Sequence, residues 1–418
     1  MTIRYLIALL FIVAAHESPA AQLERVPAEA VGMSAEKLDA LKNRLQQELD
    51  DGVTGGFQVL VARRGKVVLY ESLGHANVES GKPVTDKTLF RIFSMTKPVV
   101  GVAMMMLYEE GHFSMTDPLS KHIPEFANLK VFSGTDEAGG MILEDPAREP
   151  TMQDLMLHTA GFTYGIFGKT AVDQLYVERG IAEFGQPLDQ FIDKLADTPL
   201  LYQPGSRWVY SVSVDVQGYL IQKWTGMDPG AYLQSRLFEP LGMDETVAWV
   251  PAENSSLLAT VYTHNSEGER VPFDGETATL HLQSPGGFSG GAQLVSTADD
   301  YWHFAQMLLN GGEFAGQRYL SPKTVDMMTE SRLPPNVGIG TQGVGFGLNF
   351  AVVTDTSQVT FPASEGEYYW SGLATTVFWI DPQEDLVVIL LTQYLPFKGR
   401  YFRDLMHRMV YAAITERG

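Results

Sequence analysis

Strand-like apolar runs lie near both ends of this 418-residue chain and are sparse between them, which constrains the fold more than any other feature. Near the start, Ser34 to Asp50 places Leu38, Leu41, Leu45 and Leu49 on one helical face behind an N-cap candidate, Ser34. Phe57–Ala62 and Lys66–Leu73 follow as strands joined by Arg63-Arg64-Gly65, a hairpin loop with glycine available for positive φ. Late in the chain, Phe346–Val353, Leu373–Ile380 and Leu386–Gln393 have strand character, the last two separated by the turn Asp381–Asp385. A final helix is expected over about Tyr401–Glu416. Between the two ends, helical segments are broken by Glu149-Pro150, Gln203-Pro204-Gly205 and Glu239-Pro240-Leu241-Gly242. One antiparallel sheet built from both termini, flanked by helices and carrying a helical insertion, is the economical α+β arrangement. It divides the chain into a sheet domain of residues 22–114 and 281–418 and a mainly helical domain of 115–280, with 131–150 and 331–345 as long surface loops.

With 45% hydrophobic and 11% aromatic residues, the chain can bury a large core. Its net charge of -20 leaves no basic patch to neutralise phosphates, so nucleic acid is not an expected partner. Residues 1–21 read as a secretory signal: Arg4, an apolar stretch Tyr5–Ala15, then Ser18-Pro19-Ala20-Ala21. That stretch is well short of the roughly 20 residues needed to span a bilayer, so no stable membrane anchor is expected after cleavage, and a periplasmic or secreted location is. The absence of cysteine excludes disulfides and thiolate zinc sites, and the nine histidines show no metal-binding spacing, so neither metal nor other cofactor is expected.

Ser94-Met95-Thr96-Lys97 opens the apolar helical run Pro98–Tyr108. Residues i and i+3 share a helical face, so Lys97 can set its amine beside the Ser94 hydroxyl. A serine needs a neighbouring base to become a nucleophile, and a lysine desolvated among apolar residues can be that base. The helix N-terminus also directs N–H groups toward charge developing on an attacked carbonyl oxygen. A second such spacing, Ser34 to Lys37, reads instead as an N-cap and a solvated face. Lys97 differs because Pro98–Met104 offers it no carboxylate, and an uncompensated lysine in an apolar helix is either costly or functional. The spacing alone does not decide between these.

Two further elements carry polar chemistry. In Tyr210-Ser211-Val212-Ser213-Val214-Asp215, the Tyr210 phenol can relay a proton if a buried ammonium meets it; alone, it reads more readily as a core tyrosine with a backbone partner. In Trp370-Ser371-Gly372-Leu373, glycine lets a substrate lie along a strand edge, and an N–H at the strand start can complete an oxyanion hole; the plain alternative is a strand-entry turn.

In this order and at these distances, the three elements resemble the serine β-lactamase and penicillin-binding-protein superfamily, and the class C β-lactamases and the carboxylesterases sharing their fold look most similar. Leu155–Phe162 and Gly286-Gly287 through Ser296–Tyr301 resemble further family segments, so the likeness spans nearly the whole mature chain. It implies a β-lactamase/transpeptidase-like fold with Ser94 as nucleophile, Lys97 as base, Tyr210 as second proton carrier, and the N–H groups of Ser94 and Leu373 as oxyanion hole. Two departures stand out: no Tyr-x-Asn occurs anywhere, and Trp370 stands where the family's β-lactamases carry lysine or histidine. The missing asparagine would bind a substrate amide, and the missing cation a substrate carboxylate. Both departures resemble the esterase branch and imply a neutral, rather apolar small-molecule ester. Trp370, Ser371, Gly372, Phe162, Tyr164, Tyr368 and Tyr369 are candidates for lining its pocket.

Gly287-Phe288-Ser289-Gly290-Gly291 also fits the Gly-x-Ser-x-Gly nucleophile elbow. That elbow needs a strand before it and a helix directly after. His281–Gly286 is a poor strand, and the next helix signal waits until Ser296-Thr297, so Ser289 reads as structural. His158 reads likewise as a hydrogen-bonding structural residue. The alternatives left open are a β-lactamase or D-amino-acid peptidase of the same fold, and an inactive binding module.

Overall fold

The computed structural model describes residues 23–273, 275 and 279–416; the signal-peptide reading of residues 1–21 lies outside them. Helix α1 (Ala35–Asp50) begins where Ser34 caps it, its side chain accepting the Lys37 N–H, and buries Leu38, Leu41 and Leu45. The chain then forms β1 (Gly56–Arg63), β2 (Lys66–Asn77) and β3 (Lys82–Pro83). The returning strands are β4 (Val344–Phe346), β5 (Ala351–Val353), β6 (Tyr368–Gly372), β7 (Thr376–Asp381) and β8 (Leu386–Leu391). Together they make one eight-stranded sheet, β4-β5-β6-β7-β8-β1-β2-β3. Every neighbouring pair is antiparallel, and β8 against β1 joins the late segment to the early one.

Both faces of the central strands are covered, so every residue of β7 and β8 is buried rather than every second one. On one face Trp379 of β7 stacks on His407 of α5 (Gly399–Ala413), and α5 packs on α1. On the other, the adjacent Phe378 meets Tyr301 of α4 (Ala298–Leu309), a helix capped by Thr297. Arg63, at the end of β1, is fully buried and ties the chain's ends together: it donates to the carbonyls of Val31, Gly32, Glu384 and Glu416 and pairs with the Glu384 carboxylate.

Residues between β3 and α4 hold most of the remaining helices. Helix α2 (Thr96–Glu109) is buried almost along its whole length and packs against α3 (Ser213–Thr225), which brings residues 210–215 beside the start of α2. Three expected elements differ. The segment 346–353 is two short strands, because Asn349 adopts φ 67° and the Gly347 N–H bonds the Phe350 carbonyl, closing a tight turn. Residues 131–150 are not simply a loop: Val131–Thr135 and Met141–Glu144 pair as a hairpin around Asp136–Gly140. The motif Trp370-Ser371-Gly372 ends β6 instead of preceding the next strand, and Leu373 lies in the turn to β7, where the Thr375 N–H bonds the Gly372 carbonyl.

Candidate active site

Ser94 sits on a single 3₁₀ turn, Phe93–Met95, immediately before α2. Phe93 is held at φ 41°, a conformation a bulky residue rarely adopts, and the turn points the half-buried Ser94 side chain at the junction of two cavities. One helical turn on, Lys97 is 2% exposed, and its Nζ donates to Ser94 Oγ at 3.2 Å and to the Gly291 carbonyl at 2.8 Å. The amine also lies 4.6 Å from the centre of the Tyr210 ring and 5.3 Å from that of Tyr164.

Tyr210 reaches this point from the loop preceding α3. His158 anchors that loop: its Nδ1 accepts the Ser211 N–H at 3.2 Å and lies 3.0 Å from the Ser211 hydroxyl. Nδ1 is therefore the acceptor and the ring proton sits on Nε2. The imidazole packs against Tyr210 at 5.2 Å, and burial, aided by the charge of Lys97, holds it well below the usual histidine pKa. Among the described residues the buried Tyr210 hydroxyl has no hydrogen-bond partner, so its donor capacity is not consumed by them.

The sequence alone assigns no role to Asp215, which ends the tyrosine segment. Its position in the first turn of α3 gave no sign of what faces it. Asp215 borders one cavity and is otherwise enclosed; its Oδ1 accepts from Ser289 Oγ at 2.8 Å and from the Gly291 N–H at 3.1 Å. Enclosure pushes the carboxyl up, and the charge of Lys97 and these donors offset this in part. Tyr164 donates to Asp215, and burial together with that carboxylate keeps its phenol well above the ordinary range. The expectation that Lys97 has no carboxylate nearby is thus corrected, because α3 supplies one from another part of the chain.

Two cavities of about 290 and 380 Å³ meet along Ser94, Tyr210, Leu373 and Phe167. The smaller is walled by Ile166, Ile181, Phe184, Phe191 and Phe288, with Tyr164 at its floor. The larger runs beside β6, where Tyr369, Trp370, Ser371 and Gly372 line it opposite Trp208 and Ile339. β5 pairs with Tyr368 and Tyr369 of β6, short of the stretch Trp370–Gly372 that lines the cavity. Two pocket candidates are corrected: Phe162 is 1% exposed and packs on Phe126 inside the helical region, and Tyr368 turns from the cavity to pack on Phe350. Phe167, 65% exposed at the mouth between the cavities, went unnoticed, as a lone apolar residue in a loop carries no directional signal. Among the described residues no cluster of three or more His, Asp or Glu side chains is arranged to hold a metal, and no helix is long and apolar enough to cross a membrane.

A model of the beta-lactamase family matches residues 41–412 of the chain. The chain belongs to that family. This beta-lactamase family member is 28% identical over 375 residues to Esterase EstB of Burkholderia gladioli, covering 86% of this chain and 90% of that one. It is 33% identical over 370 residues to an uncharacterized Mycobacterium tuberculosis protein, with the same shares covered. Among solved structures, it is similar to EstCE1, described as a hydrolase with promiscuous acyltransferase activity, at a TM-score of 0.76 and 26% identity over 91% of this chain and 98% of the other. Unliganded simvastatin synthase from Aspergillus terreus shares the fold at a TM-score of 0.77 and 21% identity, over the same 91% and 98%. The family and its neighbours make this chain a β-lactamase-fold serine hydrolase with esterase-like relatives.

Proposed function

We propose that this hydrolase cleaves carboxylic esters through an acyl-enzyme on Ser94. The observation that carries the reading is the 3.2 Å contact between the Lys97 amine and the Ser94 hydroxyl at the meeting point of two largely apolar cavities. Lys97 takes the hydroxyl proton as Ser94 Oγ attacks the ester carbonyl, and the N–H groups of Ser94 and Leu373 receive the developing oxyanion. Tyr210, its hydroxyl unengaged, passes the proton to the departing alkoxide. Water then attacks the acyl-enzyme with the same groups in reverse roles, releasing the acid and restoring Ser94. No metal or cofactor takes part in this scheme, and the substrate is a small-molecule ester.

Preference for a neutral ester is supported by Trp370, which packs its apolar ring on Tyr210 and Phe346 along the larger cavity. The esterase name of the Burkholderia relative agrees with it. One observation favours a second reading, a peptidase acting on chains that end in a carboxylate: Arg400 and Arg403 line the far end of the larger cavity, and a Salmonella relative 28% identical is described as a putative D-alanyl-D-alanine carboxypeptidase. Export by the N-terminal segment belongs to the same proposal, with a periplasmic or secreted enzyme as its outcome. Rates on short and medium p-nitrophenyl esters, a chromogenic cephalosporin and a D-alanyl-D-alanine peptide, measured side by side, test the choice. Esters should lead by at least 10²-fold in kcat/KM; a lead for the cephalosporin or the peptide overturns the ester preference.

A further inference from the structure

The Gly-x-Ser-x-Gly segment, residues 287–291, lies against the very groups assigned to catalysis. Gly290 and Gly291 press on the start of α3: a Cβ at Gly290 would stand 2.1 Å from the Val214 carbonyl oxygen. One at Gly291 would stand 2.5 Å from the Tyr164 hydroxyl, 2.9 Å from Asp215 Oδ2 and 3.2 Å from Lys97 Nζ. Only glycine admits so close an approach at these two positions. The turn is itself pinned, since Gln293 Oε1 accepts the Ser289 N–H at 3.1 Å, the Gln293 N–H bonds the Ser289 carbonyl at 3.0 Å, and the Gln293 amide holds the Ala248 carbonyl.

From this rigid turn two hydrogen bonds go to Asp215 Oδ1, from the Ser289 hydroxyl and the Gly291 N–H, while the Gly291 carbonyl takes one N–H of Lys97. The backbone of one residue, Gly291, therefore holds both the carboxylate and the amine. Asp215 Oδ2 and Lys97 Nζ border the small space that the missing Gly291 side chain leaves, with the Tyr164 hydroxyl as its third wall. We propose that Ser289 and Gly291 form a clamp that fixes Asp215 as counter-charge to Lys97 and aims the amine at Ser94, which makes Ser289 and Asp215 positioning residues of the hydrolase. The proposal rests on Ser94 as nucleophile and assigns to the Gly-x-Ser-x-Gly serine a task in the proton path, in place of nucleophilic attack.

The groups facing the Lys97 amine are Ser94 from its own turn, Tyr210 from the loop before α3, Asp215 from α3, Tyr164 from the loop after residue 156, and the Gly291 carbonyl; the buried ring of His158 feels the charge of the amine and is held neutral. Of these, Asp215 alone is an acidic side chain. Removing it takes away the carboxylate held beside the amine and loosens the aim of Lys97 at Ser94, so catalysis slows while substrate binding is spared. Losing the Ser289 hydrogen bond frees the carboxyl on one side and acts in the same sense, more weakly, because the Gly291 N–H still holds it.

The test uses the full chain with p-nitrophenyl butyrate and a fluorophosphonate probe. Asp215→Asn should lower kcat by about 100-fold with KM changed less than about twofold. Ser289→Ala should lose about 10-fold in kcat with KM likewise held, and Ser289→Thr, which keeps the hydroxyl, should restore kcat to within about twofold of the parent. Should Asp215→Asn fail to fold, the kcat of Ser289→Ala and its rescue in Ser289→Thr decide. Unchanged kcat in folded variants that still label at Ser94 overturns the clamp, as does a Ser289→Thr enzyme as slow as Ser289→Ala. Labelling that bypasses Ser94 refutes the nucleophile instead, so the two failures are distinguishable.

Discussion

Lys97 Nζ lies 3.2 Å from Ser94 Oγ, with both residues set by one turn at the start of a helix that is otherwise almost wholly apolar. A buried lysine so placed serves the neighbouring hydroxyl. Ser94→Ala and Lys97→Ala are each expected to lower kcat/KM on p-nitrophenyl esters by on the order of 10³-fold or more, since nucleophile and base act as a unit. The double variant should be scarcely slower than either single one. Steady-state rates on the three variants, with circular dichroism to show that each is folded, check this.

Tyr210 separates activity from stability. Its hydroxyl is buried without a partner among the described residues, so the folded state gains no hydrogen bond from it there and bears the cost of its desolvation. Tyr210→Phe keeps the ring that packs on Trp370, Trp208 and His158. Thermal denaturation should give a Tm equal to or above that of the parent, while kcat falls by on the order of 10²-fold for want of the proton relay. A lower Tm with undiminished kcat would assign the hydroxyl to the fold.

Much of this was legible in the residues themselves. The order of elements followed from where the apolar runs sit; Ser94 with Lys97 stood out by a helical spacing that no other serine–lysine pair shared in an apolar setting, and took its roles from the resemblance that the three motifs carry together. What depends on direction was not legible. Tyr368 and Tyr369 are adjacent in sequence and chemically identical, yet strand alternation sends one into the core and the other to the cavity. Phe162 sits in a family-like segment but faces Phe126, because the loop turns at Gly161, whose φ is 97°. Asp215 escaped for a related reason: a carboxylate in a helix's first turn is ordinarily a favourable dipole partner in solvent, and only the packing of α3 on α2 makes it a neighbour of Lys97.

Gly372 fixes the distance between β6 and the Ser94 turn. A Cβ there would stand 2.2 Å from the Ile92 carbonyl oxygen, a backbone atom, and 2.3 Å from Thr376 Oγ1, so the chain at Gly372 must shift to admit one. Gly372→Ala should therefore part the Leu373 N–H from the oxyanion position, with a loss of at least about 10²-fold in kcat, the size of removing one oxyanion donor. The loss should be of similar size for esters of different chain length, because the displaced group meets the carbonyl and not the chain. A loss confined to long-chain esters would contradict this and make Gly372 a contributor to pocket shape alone.

Asp300, in the first turn of α4, gives the fold a pH dependence that can be measured away from the active site. Burial pushes its carboxyl up to about 7, even though the Thr246 hydroxyl and the Glu245 N–H both donate to it. A carboxyl whose pKa is higher folded than unfolded binds its proton more tightly in the native state. Its contribution to stability is complete below the unfolded value of about 3.9 and is lost as pH rises through about 7, at about 1.4 kcal/mol per pH unit between the two. Asp300→Asn keeps an oxygen acceptor for both donors but does not ionise. Urea denaturation from pH 4.5 to 8 should therefore show the variant gaining on the parent as pH rises, and levelling off above pH 7. A difference that stays flat across that range would mean that Asp300 titrates in the folded protein much as it does in water.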